Sequence, residues 1–129
     1  MNKTIRKLYK ISSPPDDVWQ ALVDPEMIDK WSGSSNKMDS EVGTNFELWN
    51  GDIFGKNLEV IPGKKLVQEW YGGNWPKPSK VSFTIKKDQN GTILELEQIN
   101  VPDEQFEDID IGWDEYYLGP MKEMLENNS

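Results

Sequence analysis

The stretch DIDIGWDEYYLGPMKEML, residues 108–125, decides the fold, because it is the longest segment with helical periodicity. At ~100° per residue, Phe106, Ile109, Trp113, Tyr116, Tyr117, Pro120 and Met124 fall within a sector about 100° wide, the apolar face of an amphipathic helix. Core-facing helices usually favour Leu, Ile and Ala, which settle into one rotamer and carry no polar atoms. This stripe instead carries wide, amphipathic side chains that suit the lining of a space as well as the filling of one. Pro120 removes a backbone donor and crowds the carbonyl of Tyr116, so a bend is expected there, eased by Gly119. Ile111, Leu118 and Leu125 recur every seven residues with Met121 near them, a narrower second stripe on the opposite side.

Upstream of this helix the chain supplies what it would cover. KTIRKLYKIS reads as a first strand with Ile5, Tyr9 and Ile11 on one side. SSPPDDVWQALVD has a helix-start signature, and Pro25 ends that helix and can open a second, PEMIDKW. From residue 44 the period changes to two. Phe46 and Leu48 share a face, as do Leu66, Gln68 and Trp70, then Val81, Phe83 and Ile85, then Leu94, Leu96 and Gln98. Asn50-Gly51 and Asn90-Gly91 are two-residue hairpin signals, since both residue types tolerate positive φ. The order is strand, two short helices, five hairpin-linked strands and one long helix. That is an α+β chain with an antiparallel sheet whose one face needs cover.

Composition removes several function classes. Among 129 residues there is no cysteine and no histidine, so disulfides, thiolate chemistry, histidine-based triads and imidazole metal ligands are all unavailable. The acidic run before the long helix suits the positive end of its dipole, and Asp108, Asp110 and Gly112 lack the further ligands of a calcium loop. No metal or cofactor is expected. A net charge of −9 opposes nucleic acid backbones and anionic membrane surfaces. No stretch approaches the ~20 apolar residues of a membrane span, and no signal peptide is visible. A cytoplasmic protein is expected.

With these motifs placed, the chain resembles the START-related helix-grip superfamily, also called SRPBCC. More closely, it is similar to the C-terminal domain of the heat shock protein 90 ATPase activator and its stand-alone prokaryotic relatives. The resemblance is carried by PPDDVWQALVDPEMIDKW, GTNFELWNGDIFGKNLEVIPGKKLVQEW, NWP, NGTILELEQINVP and GWDEYY, in order through nearly the whole chain. It implies one START-like domain over residues 1–129, in which a six-stranded antiparallel sheet wraps around the long C-terminal helix. In many members a cavity lies between them. Members bind lipids, sterols or polyketide-like molecules, act as cyclases, or serve as co-chaperones. The activators' stimulating motif sits in a separate N-terminal domain to which no stretch of this sequence corresponds.

Three functions remain to be weighed. The first is binding of a small apolar or lipid-like molecule between sheet and helix, lined by Phe46, Leu48, Trp70, Phe83, Leu96, Gln98, Trp113, Tyr116 and Tyr117. Gln68 and Gln98 would be the few placed polar groups of such a pocket, unless tyrosine hydroxyls satisfy them in a packed core. Leu96→Trp is expected to fill it. The second is a protein-interaction module toward a chaperone or another protein, with Trp75 as an exposed anchor unless it folds over the sheet's end as a lid. The second helical stripe would suit a partner or a weak homodimer, unless neighbouring segments cover it. The third is catalysis. Glu69, Glu95 and Glu97 alternate with apolar residues and are expected to face water, so no catalytic residue is assigned and no enzyme is expected.

Overall fold

The computed structural model describes residues 2–72, 75 and 77–127. Asn74 and Pro76, which flank Trp75 in the NWP motif, lie outside them. Among the described residues six strands form one antiparallel sheet: β1 (Asn2–Ile11), β2 (Asn45–Leu48), β3 (Ile53–Ile61), β4 (Lys65–Gly72), β5 (Ser79–Asp88) and β6 (Gly91–Pro102). Their spatial order is β1-β6-β5-β4-β3-β2. Two helices, α1 (Pro15–Val23) and α2 (Pro25–Ser32), follow β1. The closing helix runs through α3 (Phe106–Gly112), a π-helical turn (Trp113–Leu118) and α4 (Gly119–Asn127). No helix among the described residues is long and apolar enough to cross a membrane.

The alternating pattern sets which sheet face is covered. Phe83 stands opposite Leu66 on β4 and Leu96 on β6, and Val81 stands opposite Gln68 and Gln98. All six are buried, so one continuous inner face runs across the three central strands. Glu69, Glu95 and Glu97 take the outer face, where Glu95 and Glu97 pair with Lys86 and Arg6. Asn50-Gly51 forms the expected type I′ turn, with φ of 59° and 95° and the Asp52 amide donating to the Trp49 carbonyl at 3.1 Å. The second hairpin differs from expectation. Asp88 pairs with Gly91, so the turn residues are Gln89 and Asn90 rather than Asn90 and Gly91. Gly91 is glycine for a different reason: a Cβ there would lie 2.2 Å from the Ile11 carbonyl oxygen.

The short helices follow their sequence signals. Pro15 and two acids open α1. Asp24 caps α2 through the Glu26 amide, and Gly33 ends α2 at φ 72°. The Trp31 indole donates to the Ala21 carbonyl at 2.8 Å, which ties α2 to a carbonyl near the end of α1.

The closing helix departs from a uniform helix in one turn. The Gly119 amide donates to the carbonyl of Asp114, five residues back, so this turn holds one residue more than an α-turn. It immediately precedes Pro120, which has no amide to donate, and the bend expected from Pro120 takes this form. The inserted residue shifts the buried face by one position. Trp113 and Tyr117 face inward as expected, but beyond them Leu118, Met121 and Leu125 are buried. Tyr116 is 62% exposed. The second stripe is therefore not a surface for a partner or a second copy. Its members Leu118, Met121 and Leu125 belong to the core on a side where α4 meets α1 and α2, and only Ile111, before the π-turn, is exposed.

Candidate functional site

Beside the ring contacts that join the sheet to the closing helix lies a gap. The void there is a cavity of about 400 Å³, within the range of small-molecule sites. β4 contributes Trp70 as its inner wall. The π-turn contributes Trp113 and Tyr117, with Tyr116 at the rim, and α3 adds Ile109. The β2–β3 turn brings Trp49, Asn50 and Asp52, and the β4–β5 loop brings Trp75.

Ring contacts fix these walls. Trp70 stacks on Trp113 at 4.9 Å between centroids, and Tyr117 meets Trp31 at 4.5 Å and Trp113 at 4.8 Å. Trp49 approaches Tyr117 edge-on at 6.1 Å. To reach it, Trp49 adopts a φ of 49°, a left-handed conformation that costs a bulky residue about 1–2 kcal/mol. Such strain is a feature of sites that need a side chain in one particular place. The Trp75 indole donates to Gln105 Oε1 at 2.6 Å and is nearly buried. Of its two expected roles, Trp75 takes that of a lid over the sheet's open end.

Two glutamines support the tryptophans from beneath. Gln68 Oε1 accepts from the Trp70 indole at 2.8 Å, and its amide donates to Asn57 Oδ1 at 2.9 Å. Gln98 Oε1 accepts from the Trp113 indole at 2.7 Å, while its Nε2 is buried with no partner. The indoles, not tyrosine hydroxyls, donate to the oxygens of these glutamines. The Tyr117 hydroxyl is also buried with no partner, and burial raises its pKa well above the usual phenol value. It is a neutral hydroxyl with free hydrogen-bonding capacity in a residue of the cavity wall.

Of the residues expected to line a pocket, Trp70, Trp113, Tyr116 and Tyr117 come together there. Phe46, Leu48, Phe83, Leu96 and Gln98 lie behind them in the packed core. Leu96→Trp would therefore overpack that core rather than fill the cavity. Trp49 and Asp52 were missed because turn residues carry no periodic signal, and Ile53 because it opens a strand, IFGKNLEVI, without clean alternation.

A polar latch holds the helix over β1. Lys7 Nζ lies 3.0 Å from Asp110 Oδ1 and 2.8 Å from Asp114 Oδ2, and the Tyr9 hydroxyl donates to Asp114 Oδ1 at 2.5 Å. Burial acts to lower the Lys7 pKa, but bonds to the two carboxylates outweigh it and raise the net value. Burial likewise favours a protonated Asp114, but Lys7 and Tyr9 outweigh it and hold this carboxyl below its usual range. Lys7 shares the inward parity of Ile5, Tyr9 and Ile11. A lysine in that register, with acids four residues apart on the helix, was the available signal.

A sheet gripping one long helix, with its free volume beside that helix, defines the chain as a helix-grip protein of the START-related class. Within that class it belongs to the family described as "Activator of Hsp90 ATPase homolog 1-like protein", whose profile matches residues 12–126. It is 28% identical over 130 residues to an activator of 90 kDa heat shock protein ATPase homolog from Dictyostelium discoideum, covering 98% of this chain and 34% of that protein. The chain thus spans about a third of the length of the curated relatives it matches. Among solved structures it resembles a protein from Mesorhizobium loti, at TM-score 0.86 and 27% identity over 98% of this chain and 99% of that one. It also resembles an HSP90 activator from Plasmodium falciparum, at TM-score 0.87 and 25% identity over 95% of each chain.

Proposed function

We propose that this chain binds a small, largely apolar molecule in the cavity between β4 and the closing helix, without catalysis of its own. The carrying observation is a cavity of about 400 Å³ walled by the aromatic residues Trp49, Trp70, Trp75, Trp113, Tyr116 and Tyr117. No nucleophile–base pair is assembled from the described lining residues, so the chemistry offered is recognition rather than bond-making.

The test is a fluorescence titration with Nile red, a neutral apolar dye, following its emission and the quenching of tryptophan. Micromolar binding is expected, and Ile109→Trp should abolish it by occupying the void while unfolding stays cooperative. A dye that binds both proteins equally would place it elsewhere, and no binding to either would end the pocket reading.

A second reading, a co-chaperone interaction module, is favoured by one feature of the outer face. Phe54 and Tyr71 stack there at 5.4 Å with Phe54 42% exposed, an aromatic pair of the kind enriched at interfaces. The relatives named as activators of a heat shock ATPase suggest the partner. An ATPase assay with a 90 kDa heat shock protein, comparing the chain with Phe54→Glu, would separate this role from ligand binding. Stimulation lost in the variant supports it, and no stimulation by either counts against it.

A further inference from the structure

The cavity's chemistry sets the charge of what it can hold. Trp49, Trp70, Trp75, Trp113, Tyr116 and Tyr117 line it, and each ring carries negative charge density on its face. Asp52 is the one charged residue among the described lining residues, and no lysine or arginine joins them. Ile109 of the wall and Gln105, which holds the Trp75 lid, both sit in a segment with Asp103, Glu104, Glu107, Asp108 and Asp110 and no base. A chain of net charge −9 adds a field of the same sign. A carboxylate such as a fatty-acid head would enter with no cation to meet it, and burying an unpaired charge is costly. A cation meets the opposite situation: aromatic walls and the Asp52 carboxylate.

We infer that the cavity selects a hydrophobic organic cation, an amine or quaternary ammonium group on a flat apolar body, over neutral and anionic molecules of the same shape. The cation class presupposes the small-molecule reading of the cavity. Aromatic walls attract a desolvated cation through the ring quadrupole, and a carboxylate at the mouth adds attraction that salt weakens. Asp52 sits on an exposed turn, so it can be altered without disturbing the core.

Calorimetric titration with three naphthalene derivatives separates the two claims. One carries a methylene-trimethylammonium group, one its uncharged neopentyl isostere, and one an acetate. The quaternary ammonium cannot donate a hydrogen bond, so any advantage over the neopentyl compound comes from its charge. We expect it to bind at least about ten-fold tighter than the neopentyl compound, with the acetate weakest. Asp52→Asn should weaken the ammonium compound several-fold and leave the neopentyl compound unchanged. If the neopentyl or acetate compound binds as well as the cation, the charge preference is wrong while the cavity remains a binding site. If cation preference survives unaltered in Asp52→Asn, the carboxylate has no part in it and that half of the inference is overturned. Failure of all three compounds to bind removes both the charge preference and the small-molecule reading.

Discussion

The two halves of the closing helix meet their surroundings with different side chains. At the end of the π-turn and beyond it, Leu118, Met121 and Leu125 are branched or flexible aliphatics, buried on the side where α4 meets α1 and α2. Earlier within the turn, Trp113 and Tyr117 meet Trp70 and Phe83 ring against ring. Aliphatic chains interdigitate to the density of a crystal, whereas flat rings meet in a few offset or edge-on arrangements and leave gaps at their margins. The cavity lies at the aromatic end. Its presence there is a consequence of side-chain shape as much as of backbone separation.

The strongest way to break that comparison is truncation at each end. Leu118→Ala should cost about 2–5 kcal/mol, since it opens a void in a site with no room to relax. Tyr116→Ala, at the exposed rim, should stay within about 0.5 kcal/mol. Urea denaturation of both variants decides it. Comparable losses would mean that the open end is packed like the closed one.

Gly119→Ala sharpens the boundary between the halves. In an ordinary helix interior this change stabilises by about 1 kcal/mol. Here a Cβ would lie 2.1 Å from the Asp114 carbonyl oxygen that closes the π-turn. The change should therefore destabilise by about 1–3 kcal/mol, as overpacking does. A more stable Gly119→Ala protein would show that the turn is α-helical in solution, and the sheet-facing set would then revert to Tyr116, Pro120 and Met124.

That one turn also explains how far the sequence could be read. The strands and the inner face were legible because alternation at period two survives in Leu66, Gln68 and Trp70 and again in Leu94, Leu96 and Gln98. Trp113 and Tyr117 were legible because both come before Gly119, whose amide closes the irregular turn on Asp114. Leu118, Met121 and Leu125 were legible as a second stripe, and of the two outcomes weighed for it, cover by neighbouring segments is the one found, whereas the exposure of Tyr116 was not foreseen because a fixed 100° step cannot register an inserted residue. Pro120 announced a distortion without specifying that it would be a π-turn. Half of the site was hidden for a related reason. Trp49 and Asp52 reach the cavity through the conformation of one turn, and a φ of 49° at a tryptophan is not something residue preference suggests.

The smallest expected effect concerns the latch at the aromatic end, where Asp114 both closes the π-turn through its carbonyl and holds β1 through its carboxylate. Its pKa is held below the usual value of 3.8, so its stabilisation is present above that pH and is lost as pH falls through the lower folded value. Lys7 has the opposite sign. Its pKa is raised above 10.5, so its contribution is complete below that pH and is lost only as pH rises through the higher folded value. Between those limits both charges are in place. Asp114 is about half exposed, at 49%, so solvent screening limits the latch to about 1 kcal/mol or less. Asp114→Asn should therefore be slightly less stable than the parent at pH 7, and the gap should close as pH is lowered below 3.8, where the parent's carboxyl becomes protonated. Leu118→Ala supplies the contrast from the aliphatic end, because its deficit comes from lost packing and should not depend on pH. Urea midpoints for parent and both variants between pH 7 and 3 test this. A gap for Asp114→Asn that persists unchanged to low pH would mean that the side chain acts through its shape and neutral hydrogen bonds, and that Lys7 contributes no charge pairing to the hold on the helix.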